Sequence, residues 1–388
     1  MTDKPRTQIA AAFPRKADFA PMELAYLDSA TMHPVSLGAK ANAEAYLAAR
    51  TFAGAGEGYF AGATEKRVLE RFARLINAHP SEVCFVPGTT AAEHLVLAAL
   101  DLPASGGRVV TDTLHFFGSY YLYDELAKRG AEVVWLRAQD GRIAMADLQV
   151  AVSRGVKLVA VSLVSNTNGF EHDLKAICDL AHAHGGLVFA DIIQAAGCTP
   201  IDVKLSGVDF AACSSFKWLM GDFGLGMLYV RADLMPRLKR TQFGYYQLAA
   251  WRTPAFPQDP PYQRPEGYET TDDASGFFAM GTLPHAVLAQ LDWSLDYILG
   301  LGVENIRAWR QPLLSRLMSE LPRLGYRLLT PQDSTSAIVA CALDDPQALA
   351  PRLAAAKVKI ALARRHFRVS PSVFNDAADI ERLLDALS

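Results

Sequence analysis

The chain has 388 residues, 51% hydrophobic and 20% charged, with 38 basic against 41 acidic side chains and a formal net charge of −3. This composition excludes a disordered or low-complexity chain, and the near-neutral balance argues against a broad nucleic-acid footprint. No run of about 18 apolar residues is present to span a membrane, and the short apolar patch near the N-terminus, with charges on both sides, does not read as a secretory signal.

In chain order, the candidate strands are Glu82–Val86, Arg108–Thr111, Glu132–Leu136, Lys157–Leu163, Leu187–Ala190, Phe210–Ser214 and Gly226–Val230. Most are continuous apolar runs, the pattern of strands covered on both faces. Helical patterns lie between them at Ala91–Leu100, Ser119–Arg129, Met145–Ser153 and Asp173–His184, with Gly130, Gly155 and Gly185 placed to end helices. The expectation is an α/β fold: a mostly parallel seven-stranded sheet with helices on both faces. Thr241–Thr282, rich in proline and aromatic residues, is expected to be a long irregular loop. Beyond Pro284 a helical pattern runs to Leu321 with a break at Gly300–Gly302. Strands at Tyr326–Thr330, Thr335–Ala342 and Lys357–Val369 and a helix at Ala377–Leu387 then predict a smaller α+β domain. The expected division is 30–283 for the large domain, and 1–29 with 284–388 for the small one.

The five cysteines, Cys84, Cys178, Cys198, Cys213 and Cys341, are far apart and form no C-x-x-C pair. Neither a disulfide framework nor a zinc ribbon is readable, and a reduced, cytoplasmic protein is the expectation. His182 and His184, two apart on a helix, point in different directions and do not make a metal pair. GAGEG at Gly54–Gly58 lacks the Lys-Ser/Thr of a P-loop and reads as a rim turn.

Ligands of open α/β sheets bind beyond the carboxyl ends of the strands. Pro87-Gly88-Thr89-Thr90 follows the first strand and opens a helix, a place for an anion or for an ordinary N-cap. His115 follows the second strand. Asn166 lies in a polar turn after Lys157–Leu163. Asp191 closes an apolar strand, where a carboxylate is costly unless paired, and Gln194 follows it. Lys217 lies between Phe216 and Trp218 after Ser214. Desolvation there would lower its pKa and make the amine a nucleophile, whereas a snorkelling lysine is the plainer reading. Each signal alone is weak; together they describe one polar pocket.

In this order the segments resemble the class V aminotransferases, a family of fold-type I pyridoxal-phosphate enzymes that includes cysteine desulfurases, kynureninases and isopenicillin N epimerase-like proteins. Tyr26–Pro34 (YLDSATMHP) is similar to the family's opening motif and VPGTT to its phosphate cup. Phe189–Gly197 (FADIIQAAG) resembles its D-x-x-Q motif and Cys213–Val230 its lysine motif. Gly276–Pro284 and Phe367–Leu384 resemble its GTP segment and C-terminal arginine block. The resemblance implies pyridoxal 5'-phosphate as cofactor, an α-amino acid as substrate, and Schiff-base and quinonoid intermediates. Lys217 would carry the cofactor and move the Cα proton, Asp191 would pair with the ring nitrogen, and His115 would stack on the ring. Asn166 and Gln194 would bond the phenolic oxygen, while Gly88, Thr89, Thr90 and Ser214 would hold the phosphate. Thr282 would reach the phosphate of a second subunit in a homodimer, and Arg368 would grip the substrate carboxylate.

The departures narrow the activity. Asp344–Ser388 contains no cysteine, which disfavours cysteine desulfuration, and Phe216 stands where the family often has a histidine. The GTP segment also lacks the family's glutamate. Arg364, Arg365 and His366 form a basic cluster that reads either as a second acid-binding group or as a solvated edge. An aminotransferase is the first expectation, with a β-lyase or an epimerase as alternatives. A non-catalytic nucleotide-binding protein would need a G-x-G-x-x-G after the first strand, which is absent.

Overall fold

The computed structural model describes residues 12–52, 62–251 and 268–388. The GAGEG segment and part of the aromatic stretch fall outside the described residues. The elements are β1 (Ala25–Tyr26), α1 (Leu37–Phe52), α2 (Gly62–Leu75), β2 (Val83–Val86), α3 (Thr89–Ala99), β3 (Arg108–Asp112), α4 (Phe117–Lys128), β4 (Glu132–Leu136), α5 (Met145–Val152), β5 (Leu158–Ser162), α6 (Leu174–Ala183) and β6 (Leu187–Asp191). They continue with α7 (Val203–Ser206), β7 (Phe210–Ser214), β8 (Gly226–Val230), β9 (Leu248–Trp251), β10 (Tyr268–Thr270), α8 (Ala274–Phe278), α9 (His285–Leu301) and α10 (Val303–Arg323). The last are β11 (Arg327–Leu328), β12 (Val339–Ala342), α11 (Ala350–Ala355), β13 (Val358–Lys359), β14 (Ala361–Leu362), β15 (His366–Val369) and α12 (Ala377–Leu387).

Seven strands form one sheet in the order β2-β8-β7-β6-β5-β3-β4, with β8 antiparallel to its neighbours and every other pairing parallel. This is the expected sheet. Successive strand residues point to opposite faces, so Val159 and Val161 of β5 enter one core while Leu158 and Ala160 enter the other. Helices α2, α5, α6 and α9 cover the first face through residues such as Phe72, Val152, Ile177 and Leu291. Helices α3 and α4 cover the second through Leu95, Val96, Leu122 and Leu126. Because α9 sends Leu288, Leu291 and Leu295 into the first core, the helix that follows residue 284 packs on the large sheet.

The second sheet is β11-β12-β15-β14, antiparallel throughout, with β1 and β13 paired in parallel beside it. Its core draws on α10 and α12, through Leu313, Leu317, Leu321, Ile380 and Leu383. The helix break falls at Gly302, whose φ of +78° is open to glycine at little cost. Two expectations are corrected. Lys357–Val369 is not one strand but three short ones. The chain reverses through Arg364 and Arg365, where Ala363 N–H donates to the His366 carbonyl at 2.9 Å, a turn with no glycine, proline or asparagine to announce it. The aromatic stretch is not wholly irregular either: β9 pairs antiparallel with β10, and Asp273 caps α8 by accepting from Gly276 N–H. No helix of the described residues is long and apolar enough to cross a membrane.

Candidate active site

The parallel strands deliver their carboxyl ends to one edge of the sheet, and the polar residues gather there. The turn after β7 closes through Met220 N–H to the Lys217 carbonyl at 2.8 Å and Gly221 N–H to the Ser215 carbonyl at 2.9 Å. Trp218, buried, anchors this turn by donating Nε1–H to Gln194 Oε1 at 2.9 Å. Gly197, at φ +97°, lies so close that a Cβ would stand 2.4 Å from the Trp218 carbonyl oxygen, so the loop after β6 can press on the lysine turn only as glycine. Lys217 is thereby held against the pocket. Burial pulls its ammonium down to about 8; Asp191 opposes that shift and Arg368 adds to it.

Asp191 closes β6 and is buried. It accepts from Ile193 N–H at 2.9 Å and lies 3.4 Å from the Ser162 hydroxyl. Burial raises its carboxyl above the ordinary range, against the pull of His115 and Lys217. Ser162 Oγ is also 2.8 Å from His115 Nδ1, and His115 Nε2 is 3.0 Å from Glu93 Oε1. Burial opposes charge on His115, but Glu93, with Asp191 and Asp112 behind it, holds the imidazole above its ordinary range.

The start of α3 is stitched to the end of β7. Thr89 N–H donates to Ser214 Oγ at 2.9 Å, and Ser214 N–H donates back to Thr89 Oγ1 at 3.0 Å. A Cβ on Gly88 would stand 3.0 Å from Ser214 Oγ. One of the helix-start amides is thus already used, while Thr90 N–H and Ala91 N–H, in the first turn, have no acceptor within the helix. Thr90 itself is exposed.

Arg368, on β15 of the second sheet, reaches into the same region and is buried. Its guanidinium donates to the Asn166 carbonyl and to Thr31 Oγ1, each at 2.6 Å, with Asp28 at 3.7 Å; Nε has no partner among the described residues. Asn166 Oδ1 is likewise buried without a partner. Gln194 spends one amide hydrogen on the Ala30 carbonyl at 3.0 Å and its oxygen on Trp218, which leaves one hydrogen free. Thr282 stands elsewhere: it is exposed and bonded to the Tyr245 hydroxyl at 3.0 Å. Phe216 stacks on Phe223 with centroids 4.4 Å apart, so an aromatic pair occupies the position before the lysine.

Sequence reading missed Glu93, Ser162, Thr31 and His33. Glu93 lies in an apolar helix, where one acid looks like a solvated one. The available signal was Ser119 and Tyr123, four apart on α4, which place two hydroxyl donors on one face. The His33 ring nitrogens bond Ser372 Oγ and the Pro34 carbonyl, each at 2.8 Å, and its backbone N–H donates to the Phe216 carbonyl at 3.1 Å.

The class V aminotransferase model matches residues 55–382. A cysteine desulfurase of Haloferax volcanii is 30% identical over 252 residues, 63% of this chain and 55% of that protein, so the chain spans about half the length of that curated relative. The uncharacterized aminotransferase YcbU of Bacillus subtilis is 26% identical over 331 residues, 84% of each chain. Among solved structures, the apo cysteine desulfurase of Thermococcus onnurineus NA1 superposes with a TM-score of 0.80 at 22% identity, covering 94% of this chain and 93% of that one. The fold is therefore that of the pyridoxal-phosphate transferases, and the chain belongs to the class V aminotransferase family. Its cofactor is pyridoxal phosphate. The residues fit that group: a desolvated amine at Lys217, a buried carboxylate at Asp191, a glycine cradle at Gly88 beneath helix-start amides, and a spare amide hydrogen at Gln194.

Proposed function

We propose that this protein is an aminotransferase acting on an α-amino acid. The observation that carries the reading is the meeting of Lys217, Asp191 and buried Arg368 in one pocket that holds no accessible thiol. All five cysteines are buried, and burial pushes each thiol up, away from the reactive thiolate. Sulfur transfer through a protein thiolate has no residue to perform it.

Bound here, pyridoxal phosphate supplies an aldehyde that condenses with amines and a ring that accepts electrons from Cα. Arg368 binds the substrate carboxylate, its orphaned Nε–H being the donor still to be used. Lys217, neutral above a pH of about 8, takes the Cα proton at Nζ and holds it for return. With the cofactor bound, Asp191 would accept from the ring nitrogen and His115 would stack on the ring. Gly88, Thr89, Thr90 and Ser214 form the phosphate cup. Gln194 and Asn166 serve the phenolic oxygen, Gln194 with its one free hydrogen. We propose residues 30–283 as the cofactor-holding unit and 1–29 with 284–388 as the smaller one, with α9, which packs on the large sheet, as the span that joins them. A second copy completes the site. Exposed Thr282, with Phe243, Tyr245, Tyr268 and Met280 also exposed nearby in the chain, supports that placement.

Single-turnover mixing with individual amino acids tests the reading. Conversion of the bound cofactor to its amine form, with release of the matching 2-oxo acid, is the expected result. Release of ammonia with pyruvate and no amine form would replace aminotransferase by β-lyase. Racemised substrate with neither product would indicate an epimerase.

A further inference from the structure

The buried carboxylate of Glu93 takes no part in the chemistry above, yet it is among the most heavily bonded acids in the molecule. It is 2% exposed and accepts from Ser119 Oγ at 2.6 Å, from Tyr123 OH at 2.6 Å and from His115 Nε2 at 3.0 Å. Three donors on one carboxylate describe an ionised acid, which can only accept. His115 therefore carries a hydrogen on Nε2, and its other nitrogen decides the rest of the chain. If Nδ1 is also protonated, it donates to Ser162 Oγ at 2.8 Å and the Ser162 hydroxyl hydrogen is free to turn to Asp191 Oδ2 at 3.4 Å. If Nδ1 is bare, it takes that hydrogen itself, and Asp191 keeps only the Ile193 amide.

We propose that Glu93 is a positioning residue that holds His115 as a cation and so turns the Ser162 hydroxyl toward Asp191, keeping that carboxylate ready to accept from the cofactor ring nitrogen. The second half of this proposal rests on the role given to Asp191 above. The groups facing His115 are Glu93 from α3, Tyr123 from α4, Asp112 from the end of β3 with His172 3.2 Å from it, and Asp191 from β6 with Lys217 beyond. Of these Glu93 alone bonds the imidazole as a charged partner, and its charge outweighs the more distant Asp191 and Asp112 in opposing the burial of His115. In turn, His115 and the two hydroxyls overcome the burial of Glu93 and hold its carboxyl below the ordinary range.

The test is ¹⁵N-histidine NMR across pH on the protein with its cofactor and after its removal, with His115 assigned by loss of its signals in His115→Asn. In the wild type both ring nitrogens stay protonated above the ordinary histidine range. In Glu93→Gln, close in shape, Nδ1 loses its proton at or below that range, and Glu93→Asp recovers part of the difference. With ¹⁵N-labelled pyridoxal phosphate, Glu93→Gln and Ser162→Ala both make the ring nitrogen lose its proton at lower pH than in the wild type. Should Glu93→Gln not fold, Tyr123→Phe and Ser162→Ala read the same chain from its two ends. A wild-type His115 neutral at pH 7, or a His115 titration unmoved in Glu93→Gln while only thermal stability falls, overturns the proposal. A ring nitrogen unmoved in both variants overturns its second half. A protein that takes up no pyridoxal phosphate overturns the site reading instead, and the cofactor-free spectra still decide the Glu93–His115 link.

Discussion

The two sheets use similar apolar strands but differ in where their polar groups go. In the seven-stranded sheet, Asp112, Ser162, Asp191 and Ser214 close β3, β5, β6 and β7, all buried at the same edge. In the four-stranded sheet the strands carry one buried charge, Arg368. The difference follows from direction. Parallel strands bring every carboxyl end to one side, so polar residues placed there converge, whereas antiparallel strands send alternate ends to opposite sides and disperse them. The large sheet can thus assemble a site from many strands, while the small one lends a single side chain.

The sharpest break of this comparison is Lys217→Ala. Turnover is expected to fall by about 10²–10⁴-fold, and the absorbance of the lysine-bound cofactor is expected to disappear. Retained turnover would remove the large sheet's claim to the chemistry. In the wild type, capture of added pyridoxal phosphate by the cofactor-free protein should accelerate as pH rises through about 8, where Lys217 becomes neutral.

Next is Arg368→Ala. Losing one partner of a buried, bonded charge costs about 2–5 kcal/mol, and we expect it chiefly as a raised KM for the amino acid. A loss confined to kcat would mean that the small sheet supplies no carboxylate grip.

His33 lies where loops from the two sheets meet, and burial lowers its imidazole to about 4 from 6.5. Between those values the unfolded chain takes up a proton that the folded one refuses, so stability falls as pH drops from 6.5 to 4. The loss is up to about 3 kcal/mol and should flatten in His33→Gln, read by chemical denaturation at each pH.

The smallest effect is expected at Arg364 and Arg365, exposed on the hairpin of the small sheet. Alanine there should change stability by no more than about 0.5 kcal/mol and leave KM nearly unchanged. A KM raised about tenfold, equivalent to 1.4 kcal/mol, would make the hairpin a second substrate-binding element and erase the contrast.

Much of the large sheet was legible because buried parallel strands read as unbroken apolar runs; Glu132–Leu136, Phe210–Ser214 and Gly226–Val230 match the structure residue for residue. The small sheet was less so. Two-residue strands such as β13 and β14 carry no period of their own, and the Arg364–Arg365 turn lacks the usual turn residues. Asp191 stood out because a carboxylate closing an apolar strand is costly unless paired, and Lys217 because it lies between two aromatic residues; His115 gained its role only through the family resemblance. Glu93 did not, because a buried and an exposed acid on a helix are spelled alike.

The amino-acid sequence by itself determined the α/β class, the strand ends that bear chemistry and the family to which the chain is similar, since each depends on local pattern and short spacings. Only the tertiary structure decided that Thr89 spends its amide on Ser214, that Arg368 meets Asn166 and Thr31, and that Glu93 lies under His115. Those contacts join residues 22 to 337 positions apart, and burial and hydrogen-bond direction, which set their charge, exist only once the chain has closed around them.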